Sequence, residues 1–251
     1  MPDPGTDDSA SDYTLDLIDP QGNKQTVKVN MERVKEGIVT LAAGEGGGRF
    51  QLTAELLNAI RTANPDSIVE FQLPAAAFKL PLGELDLQER LAAAGLEGSQ
   101  WHLEVVAQQM DSSDEAGLNS GFQTDKLSQP VRFQLFIADG EGKSVPVTAF
   151  DSYVERTITV DKTDIPDSAS AVWFDEQGEY RFAPATFEAA NGQTTVTIKS
   201  KGTGTFALIQ HPVSFPDMDQ HWAEQAVNLL ASKMVVQGRD AEGFDPKGAI
   251  T

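Results

Sequence analysis

From residue 130 onward, apolar and polar side chains alternate in short runs separated by turn signals, and this pattern constrains the fold more than any other feature. Val131, Phe133, Leu135 and Ile137 take every second position, with Arg132 and Gln134 between them. A period of two puts successive side chains on opposite faces of an extended strand, so the run reads as a strand with one buried face. Similar runs recur at 144–148, 153–160, 170–174, 194–199 and 204–209. Asp139, Gly140, Glu141 and Gly142 form one turn signal, Asp175 to Gly178 another, and Asn191 with Gly192 a third. Asn-Gly suits a two-residue hairpin because both residues tolerate positive φ. Strands at ~8–12-residue spacing imply an antiparallel β-sandwich or a related half-barrel.

The first half mixes both periods. Residues 1–11 are Pro, Gly, Asp and Ser in the main and read as a disordered linker. Segments 13–18 and 25–29 alternate around a turn at 20–23 and predict a hairpin. Over 31–43, the helical spacing of Val34, Ile38 and Leu41 competes with Gly37 and a β-branched run, which favours a short turn followed by a strand. Glycine-rich 44–48 reads as a loop; without the Lys-Ser/Thr ending of a phosphate loop it is no nucleotide site. Thr53 is placed to cap a helix through Thr62, with Leu56, Leu57 and Ile60 on one face. Asn64, Pro65 and Asp66 stop it. A strand follows at 67–73, then an extended piece at 78–82 that Pro81 marks as an edge. Residues 86–94 predict a second helix ending at Gly95, and 101–107 a strand. The acidic, Ser-rich stretch 110–123 reads as an exposed loop. The expected organisation is a linker (1–11), an α+β domain (12–125), a β-rich, sandwich-like antiparallel domain (126–211) and a helical segment (212–251). Local pattern does not decide whether the two larger halves share a sheet.

Composition excludes several functions. The 251 residues carry 38 acidic and 19 basic side chains, a net charge of −19. Phosphate binding requires clustered Lys and Arg, so nucleic acid is excluded as a partner, and anionic membrane surfaces with it. No apolar run reaches the ~18 residues that membrane insertion needs. With no cysteine, disulfides, thiolate metal sites and a Cys nucleophile are impossible. His102, His211 and His221 lack zinc-site spacing, and no serine sits in a nucleophile elbow. The adjacent acids Glu84/Asp86, Asp114/Glu115 and Asp175/Glu176 read as loop acids, since adjacency says nothing of carboxylates facing across a cleft. No residue is nominated as catalytic, and the chain reads as no enzyme. Calcium is the one cofactor the acids allow, at 111–115 or 240–245, although neither stretch keeps a full twelve-residue loop.

The C-terminal 37 residues carry the most specific pattern. Asp217 and Asp219 precede a His221-Trp222 pair and a helix predicted from about Trp222 to Met234. An acid there can accept from free N–H groups at the helix start, so Asp217 reads as a cap. Ala223, Ala226, Val227, Leu230 and Ala231 form an apolar stripe. Gly238, a turn at Phe244, Asp245 and Pro246 with Phe244 packing back on the helix, and Ile250 with Thr251 as the cap of a further helix complete the order. By periodicity alone this is a small helical hairpin. The ordered set Phe215, Asp217, His221, Trp222, Ala223, Leu230, Gly238, Phe244, Pro246, Ile250 and Thr251, however, resembles the first half to two-thirds of an S-layer homology (SLH) module.

That resemblance implies a truncated α-helical module of a kind that works in sets of three and binds an anionic, pyruvate-bearing secondary cell wall polysaccharide in grooves between modules. It implies an extracellular protein held in the cell wall or S-layer. The positions matching the family's ligand side are Asp217, Trp222 and Gly238. Trp222 can stack on a sugar or fill the core, and the general burial of aromatics favours the core; Gly238 reads as serving backbone geometry. The sequence stops inside the motif, before the family's polymer-contacting Arg and the two further modules, and lacks a signal peptide, so the expectation is a piece of a longer secreted chain. A second, weaker resemblance rests on 153–159, 182–187, 197–200 and 206–209. It is to a domain found ahead of SLH modules in Gram-positive surface proteins, which has no well-described activity. Two alternatives stay open: a carbohydrate-binding module using Trp101, Tyr153, Trp173 and Tyr180 as a stacking platform, and the tail of a secreted, wall-anchored glycoside hydrolase.

Overall fold

Leu15 and Leu17 on the first strand, Phe50 and Leu52 on the fourth, and Phe133 and Leu135 on the eighth all point into one interior and are buried. They do so in a computed structural model that describes residues 13–96, 100–111, 114–118, 126–175, 177–240 and 243–248. Two sheets face each other. The first runs β12 (Tyr180–Ala183), β11 (Ala169–Phe174), β15 (Gly204–Gln210), β8 (Val131–Asp139), β7 (Trp101–Gln109), β4 (Gly47–Thr53), β1 (Thr14–Ile18) and β2 (Lys24–Lys28), with β9 (Ser144–Val147) also on β8. The second runs β13 (Ala185–Ala190), β14 (Gln193–Gly202), β10 (Ala149–Val160), β6 (Ala76–Pro81), β5 (Ile68–Leu73) and β3 (Ile38–Ala42). All pairings are antiparallel except β3 with β5.

A row of phenylalanines joins the sheets. Phe50 meets Phe71 edge-on with ring centroids 5.0 Å apart, Phe71 stacks on Phe78 at 6.1 Å, and Phe78 reaches Phe133 of the opposite sheet at 5.7 Å. Each large ring removes much apolar surface from water, and tilted or edge contacts suit the ring quadrupole.

The expected boundary near residue 125 does not separate two cores. β7 pairs with β8 from Trp101↔Asp139 to Gln109↔Val131, and β6 pairs with β10, so strands from both halves interleave in both sheets. One continuous cluster of buried side chains runs from Leu15 to Leu208. Local alternation fixes which face of a strand is buried, but not which strand it pairs with.

Other expectations need correction. Residues Met31–Lys35 form a helix, α1, where a turn was expected; Asn30 caps it, its Oδ1 accepting from the N–H of Glu32 and Arg33. Gly47 and Gly48 lie in β4, where a loop was expected. Gly47 has φ +80°, and a Cβ there would sit 2.1 Å from the Ala107 carbonyl oxygen; one on Gly48 would sit 2.6 Å from that of Ile18. Here glycine permits close strand approach, a use within sheets that its turn propensity hides. Pro81 does not mark an edge: β6 lies between β5 and β10, and Pro81 is merely its last residue. Strands β12 and β13 were not anticipated. In the stretch read as an exposed loop, Glu115 is buried and its carboxylate accepts from Lys126 Nζ at 2.7 and 2.9 Å.

The helices α2 (Ala54–Ala63) and α3 (Leu87–Ala94) stand as expected. Thr53 Oγ1 accepts from Leu56 N–H, and Gly95 ends α3 in the left-handed region. Candidate acids outside the C-terminal segment tie loops together: Glu84 accepts from Ser152 N–H, and Asp175 from Gln177 and Glu179 N–H and from Arg181.

Candidate functional site

After β15 the chain leaves the sandwich and builds a small unit from a 3-10 turn (Pro216–Met218), helix α4 (Glu224–Ser232) and the segment after it. Met218, Val227 and Ala231 are its buried apolar residues. Side chains of α4 hold the incoming segment: Phe215 N–H donates to Asn228 Oδ1 and Val213 N–H to Ser232 Oγ. The unit rests on the sandwich through the end of its helix. Lys233 Nζ donates to the Ala169 carbonyl at 3.1 Å, and Met234 packs on the outer-face cluster of Val172, Phe174, Ala207 and Ile209.

Asp217 does not cap α4. The N-cap is Ala223, which makes no side-chain cap bond. Instead the Asp217 carboxylate crosses to the C-terminal loop, where Oδ1 accepts from Phe244 N–H at 3.0 Å and Oδ2 from Asp245 N–H at 2.7 Å. These two donors hold its pKa below the ordinary aspartate value, because hydrogen bonds to the ionised form favour it. Gly238 and Gly243 make room for this arrangement. A Cβ on Gly238 would lie 2.7 Å from both the Gly243 carbonyl oxygen and the Phe215 ring, and one on Gly243 would lie 2.9 Å from Asp217 Oδ2. Phe244 packs on Phe215, with centroids 5.6 Å apart, at the place where a contact with the helix was expected. Arg239 pairs with Asp245, and its N–H donates to the Gly243 carbonyl.

The structure therefore brings Asp217 and Gly238 together around one loop and leaves Trp222 apart. Trp222 is 92% exposed, and its ring touches only that of His221 among the ring contacts seen. The expectation that it fills the core is overturned. Of the predicted apolar stripe only Val227 and Ala231 are buried; Leu229, Leu230 and Val235 are also left facing water. The expected cap at Thr251 lies outside the described residues. Of the acids offered for calcium, Asp240 accepts from Gly243 N–H, Asp245 is paired with Arg239 and Glu115 with Lys126; Ser112, Ser113, Ala241 and Glu242 lie outside the described residues. No group of three or more potential metal ligands is present among the described residues. Sequence reasoning missed the bonds from Asn228 and Ser232 and the Arg239–Asp245 pair; none of these spacings follows a helical or strand period.

The four candidate stacking aromatics separate. Tyr153 and Trp173 line one cleft of about 410 Å³ together with Phe182, Pro184, Lys199 and Lys201. Tyr180 packs edge-on against Phe174 and His211, and Trp101 packs against the main core.

The C-terminal unit thus combines a short helix, an Asp-tied Gly-rich loop and an unburied Trp at the helix start. Residues 214–251 match the family model of the S-layer homology domain. The chain carries this wall-anchoring domain at its C-terminal end, which makes it a cell-surface, cell wall-associated protein. An amylopullulanase of Thermoanaerobacterium thermosulfurigenes is similar to it, 21% identical over 99 residues, 39% of this chain and 5% of that protein. The chain spans only a small fraction of that relative's length. No solved structure matches it. Among the described residues no helix is long and apolar enough to cross a membrane.

Proposed function

We propose that this polypeptide is a non-catalytic, extracellular part of a wall-anchored protein. Its SLH segment contributes to noncovalent retention on secondary cell wall polysaccharide, and the sandwich spaces or displays whatever else the protein carries. Asp217, Trp222 and Gly238 serve the polymer contact in different ways. Asp217 and Gly238 shape the loop, and Trp222 offers a flat apolar face. The observation that carries the reading is the 92% exposure of Trp222, since an aromatic left in water at the start of a packed helix contributes little to the core and much to an interface.

The test displays the chain densely on beads, so that many copies of one module act together. Beads should capture purified wall polysaccharide, and beads carrying Trp222→Ala should capture far less. Equal capture by both, or none by either, would contradict the proposal. A second reading, favoured by the amylopullulanase match, makes these residues the spacer of a wall-anchored polysaccharide hydrolase. The two readings agree on this chain: incubated with pullulan or starch, it should release no reducing sugar.

A further inference from the structure

The cleft between the two sheets carries an inference that does not depend on the SLH segment. Its wall is built by an irregularity in β10. Ala149 pairs with Gly202 and Val154 with Ser200, so five steps along β10 oppose two along β14, and the excess residues bulge outward. Such bulges re-aim side chains toward sites. This one is pinned from several directions: Phe150 is buried in the core, Arg90 donates to the Ala149 carbonyl and Ser152 N–H donates to Glu84. The result holds Tyr153 out of the sheet, 61% exposed. Trp173 from β11 and Phe182 from β12 line the same space. Tyr153 and Trp173, on strands of opposite sheets, thus share one open cleft of about 410 Å³, whereas Phe182 borders it from β12 with its side chain on the outer face beside Val172; the volume is within the ~300–1,000 Å³ typical of ligand sites.

The charge at this place runs against that of the molecule. The chain as a whole is −19, yet both charged side chains lining the cleft are lysines, Lys199 and Lys201. Lys199 is shared with Glu155 at 3.4 Å. Lys201 lies 5.7 Å from the centre of the Tyr153 ring and has no ion pair among the described residues. Behind the floor lies a third cation. Arg156 is fully buried and donates to the carbonyls of Ser200 and Gly202, which line the cleft. No carboxylate pairs with it among the described residues, so in a medium of low dielectric its field reaches the cleft weakly screened.

We infer that this cleft binds an acidic glycan, with sugar faces against Tyr153 and Trp173 and a carboxylate at Lys201. Flat aromatic faces match the apolar faces of pyranose rings, and the unpaired ammonium selects for negative charge. The site is separate from Trp222, on the sandwich.

The probes are an oligogalacturonate and its carboxyl-reduced, neutral counterpart, titrated into the full chain carrying Trp222→Ala, so that loss of SLH-segment binding cannot mimic the result. Calorimetry should show binding of the acidic oligomer. The neutral one should bind about tenfold or more weaker, as should the acidic one to Tyr153→Ala and to Lys201→Gln. Tyr153 and Lys201 are surface side chains, and unchanged urea unfolding would show that both variants fold. Equal binding of the two oligomers would overturn the charge assignment. No binding of the acidic oligomer, or binding untouched by both substitutions, would overturn the site. Preference for an acidic peptide over the acidic glycan would overturn the ligand class.

Discussion

Replacing Arg156 by Met tests how a cation is held in the sandwich core. Arg156 is 0% exposed. Its guanidinium carbon lies 4.9 Å from the Phe78 ring centre and 4.7 Å from that of Phe206. It donates to the carbonyls of Val154 and Ser200 at 3.3 Å and of Gly202 at 2.5 Å, while Nε has no partner. Burial pulls its pKa down to about 9. A pKa this far below the ordinary arginine value means that the site as a whole disfavours the charged form, by about 5 kcal/mol at neutral pH. The three charge-assisted hydrogen bonds and the two ring faces offset part of the desolvation but not all of it. Arg156→Met keeps most of the packing and removes the charge, and should be as stable as the parent or more so, by about 1–4 kcal/mol. Arg156→Ala, which opens a cavity between two phenylalanines, should be less stable than the Met variant. Urea unfolding followed by tryptophan fluorescence measures both. A Met variant clearly less stable than the parent would refute the reasoning and show that the hydrogen bonds and ring contacts outweigh solvation. The pH dependence has its own sign. The folded-state pKa is depressed, so the penalty of the buried charge is fully present below about pH 9 and is relieved as pH rises through that value, while the unfolded chain still holds its proton.

Three further outcomes follow from the same structure. Asp217, its pKa lowered by the N–H groups of Phe244 and Asp245, contributes order to the C-terminal loop above the unfolded aspartate pKa and loses it as pH falls through the lower, folded value. Protection of the Phe244 and Asp245 amides, taken relative to the intrinsic exchange rate at each pH, should therefore fall in that acid range, and Asp217→Ala should lower it already at neutral pH. Gly47→Ala should destabilise the sandwich by more than about 2 kcal/mol in urea, because positive φ and a backbone contact at 2.1 Å both oppose a Cβ. Trp222→Ala should leave the unfolding midpoint unchanged within about 0.5 kcal/mol, since almost none of the ring is buried.

Features set by neighbours in sequence were legible. The β1–β2 hairpin, the Thr53 cap of α2 and the Gly95 end of α3 follow from spacing within a few residues. The interleaving of strands across residue 125 was not legible, because it is decided by which buried faces meet in space. β4 was hidden for a related reason: Gly47 and Gly48 look like loop residues until the Ala107 and Ile18 carbonyls show why no other residue fits. In the C-terminal segment the order of residues pointed to the right family, but not to the work each does. Asp217 looked like a helix cap because it precedes a helix; its partners lie 27 and 28 residues further on. Trp222 looked buried because most tryptophans are, and a single sequence carries no signal of its exposure. Tyr153 and Trp173 were candidates as aromatics of the β-rich half, and alternation left Trp173 as plausibly inside as outside; their meeting in one cleft depends on the β10 bulge, which leaves no local mark.

The chain's three tryptophans allow the wall-docking claim to be read directly. In a nitrogen-15 spectrum each indole N–H gives one signal, assignable by substitution. On addition of purified wall polysaccharide, the Trp222 signal should shift and saturate while that of Trp101 stays in place. A Trp222 signal unmoved at saturating polymer would remove this side chain from the interface, and with it the account of how the segment grips the wall.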